Sequence, residues 1–430
     1  MNKTKRNIVL VILSMIAGMV YLTPLLRFSF YDQMMVALKL TDIELGTIGS
    51  VYGIACVVGY VPSGFLADRF NTKKLLIFSN LGMALTTFWY STYPGFQSLV
   101  VIHALYGFFS IVTFWSPYLK AIRSLGSEKE QGRLFGMSEG IRGVGQTAVA
   151  FTCLGAMALF ASGDAGLRVL LLINAGVFIL LMIAVIALVP DIDREHPALA
   201  KPEAGASKVS GGVAFVEALK SSSTWICIFV IFCGYTLWLT VNGYIGTYCT
   251  RVLNISHELS SSLSIVRSYL IVFLAGFSGG FIIDRFSSKG KGLILAFALT
   301  ALGVFAVFST SKFVAICIAM TIVLAYIVNV IKATYWSIMG EAGIPAEKTG
   351  MATGVISFIA FTPDTFISLI ISRFLHYGES LGNVEIGFNL MLLWAASWAI
   401  LGVIAAWVLK RRAVSRSIAS PNLGAMALES

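Results

Sequence analysis

The sequence predicts an all-α membrane protein in which twelve transmembrane helices form two pseudo-symmetric halves of six. Of the 430 residues, 57% are hydrophobic and only 12% are charged, which is about half the charged share of an ordinary soluble domain. The apolar residues form twelve runs of about 20 residues, the length that spans a bilayer. One charged motif occurs twice, half a chain apart. A soluble enzyme, a secreted protein or a nucleic-acid-binding protein could not bury this much apolar surface.

The apolar runs, separated by short polar segments, predict the spans in order. In the first half they are 7–36, 43–67, 73–93, 97–122, 133–160 and 167–189. In the second half they are 223–248, 260–283, 291–310, 313–338, 349–373 and 386–409. The segment between the halves contains several prolines, glycines and mixed charges, which is typical of a linker. The predicted domains are therefore a six-helix half at 1–189, a cytoplasmic linker at 190–222, a second six-helix half at 223–410 and a cytoplasmic tail at 411–430.

The distribution of positive charge predicts the orientation. About 21 of the 31 Lys and Arg residues fall in segments on one side of the predicted membrane, and about five fall on the other. Because positively charged loops stay in the cytoplasm, both termini are predicted to be cytoplasmic. The six cysteines lie scattered through apolar segments without metal-ligand spacing, so we expect small buried thiols and no metal site or cofactor.

An internal repeat supports the two halves. The motif that begins at Gly64 and contains Asp68, Arg69 and Lys73 recurs about half a chain later, beginning at Gly280 and containing Asp284 and Arg285. Each copy ends the second apolar run of its half. Two halves of parallel topology explain this spacing.

The repeated motif resembles the signature of the major facilitator superfamily. This resemblance implies the major facilitator fold, and it implies that the motif residues brace neighbouring helices at their cytoplasmic ends: Gly64, Asp68, Arg69 and Lys73 in the first copy and Gly280, Asp284 and Arg285 in the second. Arg27, the Trp115-Ser-Pro117 sequence and the polar turn at 128–132 further resemble the organophosphate and organic-anion branch. The chain more closely resembles a group of bacterial inner-membrane members, which share the run 131–136, Glu139, Arg142 and the stretch that begins at Gly340. A second arginine of the phosphate-ester antiporters corresponds to Trp238.

Among the charged residues of the predicted spans seven stand out, because a charge inside a span is costly unless it faces a partner or a polar cavity. Five are positive and two are negative, and an electropositive cavity favours an anionic substrate. The predicted substrate-binding residues are Arg27, Arg142, Trp115, Trp238, Lys332 and Arg267. Glu139 and Asp364 are predicted to couple transport to protons or to balance the cations. Alternatives stay open for several of them, since Arg142 could simply pair with Glu139, and Lys120 or Lys332 could pair with loop acids.

These residues and the resemblance together predict a secondary active transporter of the bacterial inner membrane. The predicted substrate is a small organic anion (a sugar acid, sugar phosphate, sulfonate or carboxylate), moved by alternating access with proton coupling or by anion exchange. The alternatives are proton-coupled efflux of amphipathic drugs or metabolites, and symport of a neutral sugar. No ATP-binding loop or hydrolase motif is present, so the chain is not predicted to be an enzyme. The expected partners are the substrate, protons and the lipid bilayer, without nucleic acid, and the protein is expected to be a monomer.

Overall fold

A computed structural model of the protein describes residues 3–126, 130–159, 163–195, 211–344 and 349–419. Across these ranges the chain is helical and contains no strand. The first six spans are α1a Lys3–Leu22 and α1b Arg27–Leu38, α2 Asp42–Arg69, α3 Thr72–Ser91, α4a Phe96–Gly107 and α4b Trp115–Arg123, α5 Gln131–Ala158, and α6 Gly163–Leu188. The last six are α7 Ser222–Arg251, α8a His257–Ile265 and α8b Ile271–Asp284, α9 Lys289–Ser309, α10 Val314–Thr334, α11a Thr349–Ala360 and α11b Pro363–Ser380, and α12 Val384–Ala419.

Every predicted span corresponds to a helix. Ten helical segments of the described chain are long and apolar enough to cross a membrane. The other two, α3 and α5, have sufficient length but lower apolarity. The physical reason is visible in the sequence, because α3 begins with Lys73 and Lys74 and α5 carries Glu139 and Arg142.

Two spans are interrupted at prolines. The first span was expected to be one helix over 7–36, but it divides between Leu22 and Arg27, where Pro24 cannot donate a backbone hydrogen bond. In the eleventh span, Pro363 is the first residue of α11b, a position at which the missing N–H costs nothing.

Three further spans are interrupted by irregular turns, and in one of them, the fourth, Pro117 lies four residues after the break at Thr113. The fourth span contains a π-helical turn at Phe108–Val112, and the eighth contains one at Val266–Leu270. In the tenth span a 3₁₀ turn, Tyr335–Ile338, follows α10 and precedes a short helix, Met339–Ala342. Turns of this kind often mark functional positions in helices.

The described chain forms two compact units. The first comprises Met1–Lys208, Gly243–Leu270 and Asp364–Gly387, so it contains the first half together with the ends of α7, α8 and α11. The helix ends near Leu38, Asp42, Arg251, His257 and Ser380 lie in this unit, and we call them the distal ends. The opposite ends are called proximal.

The second unit comprises Val209–Asn242, Ile271–Pro363 and Phe388–Ser430. Its central helix is α10, which packs against α8b and α9. The predicted linker coincides in part with a short helix, Ile192–Glu195, and a surface helix, Gly211–Lys220; its residues 196–210 and the tail residues 420–430 lie outside the described ranges. The division of the sequence into halves stays a prediction, since the two units follow packing rather than chain order.

The cysteines are confirmed as buried thiols. All six are buried, and none forms a disulfide. Apolar surroundings favour this, since a free cysteine packs as a small hydrophobic residue.

Candidate functional site

Four aromatic side chains of the first unit form a group that we call the first aromatic cluster: Tyr21, Tyr60, Trp115 and Tyr118. Trp115 is its centre, with ring centroids 6.1 Å from Tyr21, 6.5 Å from Tyr60 and 6.0 Å from Tyr118. Interruptions of two helices position it, because Tyr21 precedes the break in α1 and Trp115 is the first residue after the irregular turn in α4. Trp115 meets Tyr21 and Tyr60 edge to face, an arrangement that aromatic rings favour.

Arg142 and Glu139 form an ion pair three residues apart on α5, near the middle of the span. The pair is accessible, since the Arg142 side chain is 24% exposed and that of Glu139 is 55% exposed. Arg142 packs against α1a, where a β-carbon at Gly18 would lie 3.4 Å from its Cγ. It is also close enough to Tyr21 and Tyr118 to interact with both electrostatically. The structure therefore joins the predicted ligand Arg142 to the first aromatic cluster.

Hydroxyl contacts hold the three helices of this region in register. Ser138 of α5 lies 2.7 Å from the hydroxyl of Tyr118 and 2.7 Å from that of Ser14 on α1a. One turn further along α5 from Arg142, Gln146 donates to the Gly18 carbonyl at 3.0 Å. These bonds join α1a and α4b to α5, the helix that carries Arg142.

A second aromatic cluster lies in the second unit and consists of Tyr235, Trp238, Trp336 and Phe361. Tyr235 stacks on Trp238 with centroids 5.6 Å apart, and Phe361 contacts Tyr235 at 4.7 Å and Trp336 at 6.1 Å. The Lys332 ammonium lies 3.1 Å from the centroid of the Trp238 ring, a cation–π contact. The indole N–H donates to Asn329 at 3.0 Å, which fixes the ring plane. Lys332 and Trp238, each predicted as a substrate-binding residue, are thus in direct contact.

The two aromatic clusters occupy corresponding places in the sequence repeat. The separation along the chain from Tyr21 to Trp238, and that from Trp115 to Trp336, are both close to the offset between the two copies of the charged motif. Trp115 follows the irregular turn of the fourth span, and Trp336 lies in the 3₁₀ turn of the tenth. The repeat therefore extends from the motif to the aromatic residues of each half.

Arg27 has a different set of contacts. It begins α1b with 4% exposure and donates to the Tyr244 hydroxyl at 3.2 Å and to Ser368 Oγ at 2.6 Å. Tyr244 in turn donates to the Ser368 carbonyl at 3.1 Å. The predicted ligand Arg27 therefore joins α1b to α7 and α11b in this structure.

The other two predicted charges also lie in the first unit. Asp364 is half-buried in the first turn of α11b, where the positive end of the helix dipole favours a carboxylate. Its backbone packs against Gly53 of α2 so closely that any β-carbon there would clash. Arg267 is 1% exposed within the π-helical turn of the eighth span and donates to Ser264 Oγ at 2.8 Å.

A distal charge cluster was missed by the sequence analysis. Arg251, at the end of α7, binds Asp32 at 2.8 Å, Asp42 at 2.9 Å and Glu379 at 2.8 Å. Tyr31 donates to Asp42 at 2.8 Å. The sequence signal is a charge toward the distal end of each of four spans, which contain α1b, α2, α7 and α11b. By itself, Arg251 is one of the five cations on the side of the predicted membrane that carries few positive charges. No group of three or more His, Cys, Asp or Glu side chains within the described ranges is arranged to hold a metal ion.

The first copy of the repeated motif lies at the proximal ends. The Asp68 side chain is outside the described set; Arg69 is exposed over the Phe65 ring, and Lys73 donates to the Ile186 carbonyl at 2.8 Å. A β-carbon at Gly64 would meet open space. The brace predicted for these residues stays a prediction.

A different contact connects the helices near this first copy. Asp193, beyond α6, pairs with Lys120 of α4b at 2.7 Å and accepts the Thr72 backbone N–H at 2.6 Å. The carboxylate thereby caps the start of α3. This outcome agrees with the alternative that Lys120 pairs with a loop acid.

The second copy contains a comparable cap. Asp284 pairs with Lys289, while Glu341 accepts the backbone N–H groups of Lys289 at 2.6 Å and Gly290 at 3.2 Å. Arg285 is exposed. A β-carbon at Gly280 would find open space, as at Gly64.

The sequence profile of the Major Facilitator Superfamily matches residues 8–363. The chain belongs to the major facilitator superfamily. The sequence is 29% identical over 409 residues to the inner membrane protein YqcE of Escherichia coli K12, covering 94% of each chain. It is 27% identical over 397 residues to the inner membrane protein YihN of the same organism, covering 91% of this chain and 93% of that one. This major facilitator protein is thus a multi-pass inner-membrane transporter and not an enzyme.

Solved structures of the superfamily share its fold of twelve helices in two halves. A bacterial homologue of the human lysosomal transporter Spinster, inward-facing and unoccupied, has a TM-score of 0.76 and 12% identity, covering 96% of this chain and 99% of that chain. The nucleoside transporter NupG has a TM-score of 0.73 and 15% identity, covering 95% and 99%. The fold prediction is confirmed, and at these identities the likeness shows the fold alone.

Proposed function

We propose that this major facilitator protein carries a small organic anion by alternating access, with Arg142 as the anion ligand. The observation that carries the proposal is the partly exposed Arg142–Glu139 pair beside the first aromatic cluster. A guanidinium presents a planar fork that matches carboxylate, phosphate and sulfonate groups. The neighbouring rings suit the sugar ring or carbon scaffold that bears the anionic group.

The Arg142–Glu139 pair also provides a coupling mechanism. While Glu139 is ionised it occupies Arg142 and neutralises it. When Glu139 takes up a proton, Arg142 is released to bind the substrate anion, so one proton and one negative charge move together. We therefore propose proton symport in preference to anion exchange. The second unit has a positive group of its own beside aromatic rings, since the Lys332 ammonium contacts the Trp238 ring.

The orientation forms part of the same proposal. We assign the distal ends to the periplasm and both termini to the cytoplasm, because the positively charged segments are concentrated at the proximal ends. In this assignment Arg251 and its three carboxylates close the periplasmic side.

The test is thermal unfolding of the detergent-purified protein with a panel of sugar acids, phosphate esters, sulfonates, neutral sugars and cationic drugs. A bound ligand raises the melting temperature by mass action. We expect one anion class to raise it, with loss of the effect in Arg142→Gln. The matched control is Arg194→Gln, since the Arg194 side chain is 87% exposed in an ion pair outside the spans. Shifts produced by neutral or cationic compounds alone would refute the proposal and favour sugar symport or drug efflux.

The coupling step has its own test in proteoliposomes. Glu139→Gln mimics the protonated acid, so we expect it to bind and exchange the anion while losing accumulation driven by a pH gradient. Accumulation that persists at the wild-type level in Glu139→Gln would exclude Glu139 as the coupling group while leaving the role of Arg142 to the binding assay.

A further inference from the structure

A small polar cavity lies among the distal ends of the first unit. Its volume is about 10 Å³, enough for one particle of the size of a water molecule. The lining comes from α1b, α7 and α8a and consists almost entirely of oxygen-bearing side chains. Those that carry the argument are Ser29, Asp32, Thr247, Ser260, Ser261 and Ser264.

One lining hydroxyl points to a missing ligand. Thr247 is 2% exposed, and its Oγ1 has no hydrogen-bond partner within the described part of the chain. A buried hydroxyl without a partner costs free energy that a bound ligand can recover. By contrast, Ser260 donates to the Gly246 carbonyl at 2.7 Å and Ser261 accepts from Gln33 at 2.8 Å. Their remaining oxygen lone pairs are available to a cation.

The charge around the cavity favours a cation. Asp32 borders it directly and shares Arg251 with Asp42 and Glu379. Arg267 reaches the lining through Ser264. Neither arginine is among the described residues that line the cavity, so the Asp32 carboxylate is the acidic group that faces it directly.

The ligand set indicates which cation. Hard cations take oxygen ligands, which this lining supplies as one carboxylate and several hydroxyls. Calcium takes six to eight oxygens, commonly with several carboxylates, and magnesium keeps a shell of water, so neither fits a cavity of this size with a single carboxylate. We propose that the cavity binds one sodium ion, with Asp32 and Thr247 as its principal ligands.

The position of the cavity gives the ion a role. Its walls come from α1b of the first half and from α7 and α8a of the second, so the ligand set is complete only while the distal ends are together. An ion that binds one conformation selectively shifts the equilibrium toward it. Sodium would therefore stabilise the closed distal side. The exposed His257 belongs to the lining and provides a route from the distal surface. This inference does not depend on the identity of the transported substrate.

The test measures the melting temperature of the purified protein, without substrate, in NaCl, KCl, choline chloride and sodium gluconate at equal ionic strength. We expect both sodium salts to raise it in a saturable way, and choline chloride not to. Equal melting temperatures in all four salts would mean that the cavity holds only water. A rise in every chloride salt but not in gluconate would mean an anion site. Either result would overturn the proposal.

Two variants and a matched control locate the ion. Thr247→Val removes the unpartnered hydroxyl at nearly constant shape, and we expect it to raise the half-saturating sodium concentration about tenfold. Asp32→Asn should abolish the response, but it also disturbs Arg251, so Thr247→Val is the decisive variant. Thr236→Val is the control, because Thr236 is a buried residue of the same helix with an unpartnered hydroxyl outside the cavity. A sodium response that Thr247→Val leaves unchanged would refute the assignment.

Discussion

Lys120 and Glu341 contribute to the same kind of helix cap, although their charges are opposite. They occupy corresponding positions of the sequence repeat, near the proximal ends of the fourth and tenth spans. Each takes part in capping the third helix of its own half: Glu341 caps α9 itself, whereas Lys120 holds Asp193, which caps α3. The sequence repeat could predict that these ends meet, but the exchanged charges make the contact invisible to a search for repeated residues.

The two caps lead to an ordered prediction for stability. We expect Asp193→Ala and Glu341→Ala each to cost about 1–3 kcal/mol, because each leaves a buried helix N–H without an acceptor. Lys120→Met should cost less, since Asp193 keeps its bonds to Thr72. Melting temperatures of the three variants measure the order. If Lys120→Met lowers the melting temperature as much as Asp193→Ala does, the ion pair rather than the cap stabilises the start of α3.

At the scale of elements, α2 and α11b make a very close helix contact in the first unit. Gly46, Gly49 and Gly53 recur every three or four residues along α2, and their backbones face Ser372, Ser368 and Asp364 of α11b. Small residues with this spacing allow two helix backbones to approach closely. The sequence predicts both helices from their apolar runs, and Pro24 and Pro363 mark two interruptions. It contains no proline at the π-helical turn Val266–Leu270 of the eighth span, so that interruption could not be predicted.

The close contact predicts an effect of added bulk. We expect Gly53→Val to prevent α11b from packing against α2. The distal ends should then separate, and the melting temperature should fall. Gly176→Val on α6 is the control for size, because a β-carbon there meets open space. The opening is measured as maleimide labelling of a cysteine introduced at the distal ends. Unchanged accessibility in Gly53→Val would show that the helices adjust without separating.

At the scale of the whole molecule, the sequence predicts the transport fold of twelve helices, whereas the contacts between distant helices were only partly predictable. Charges inside spans can be predicted to have a function because they are costly in lipid. Arg251 ends its span and therefore resembled an ordinary loop cation. Arg27 was identified as functional, yet its partners Tyr244 and Ser368 could not be inferred, since both come from the other half of the sequence.

The distal charge cluster predicts how closure responds to mutation. Removing Arg251 leaves three carboxylates without their common partner, a loss of about 3–5 kcal/mol when an ion pair is buried. We expect Arg251→Gln to increase maleimide labelling of a Ser261→Cys reporter, because Ser261 is 1% exposed in the closed arrangement. Arg168→Gln is the control, since Arg168 lies over Tyr93 outside the cluster. Equal labelling in the two variants would show that apolar packing alone keeps the distal ends together.

The burial of every native thiol has a practical consequence. Because Cys56, Cys153, Cys227, Cys233, Cys249 and Cys317 are buried, water-soluble reagents should spare the unmodified chain. Pairs of spin labels or fluorophores could then be attached at chosen surface positions without first replacing the native cysteines and disturbing the packing around them. Distances between such labels across the distal ends would follow the transport cycle in the natural sequence background.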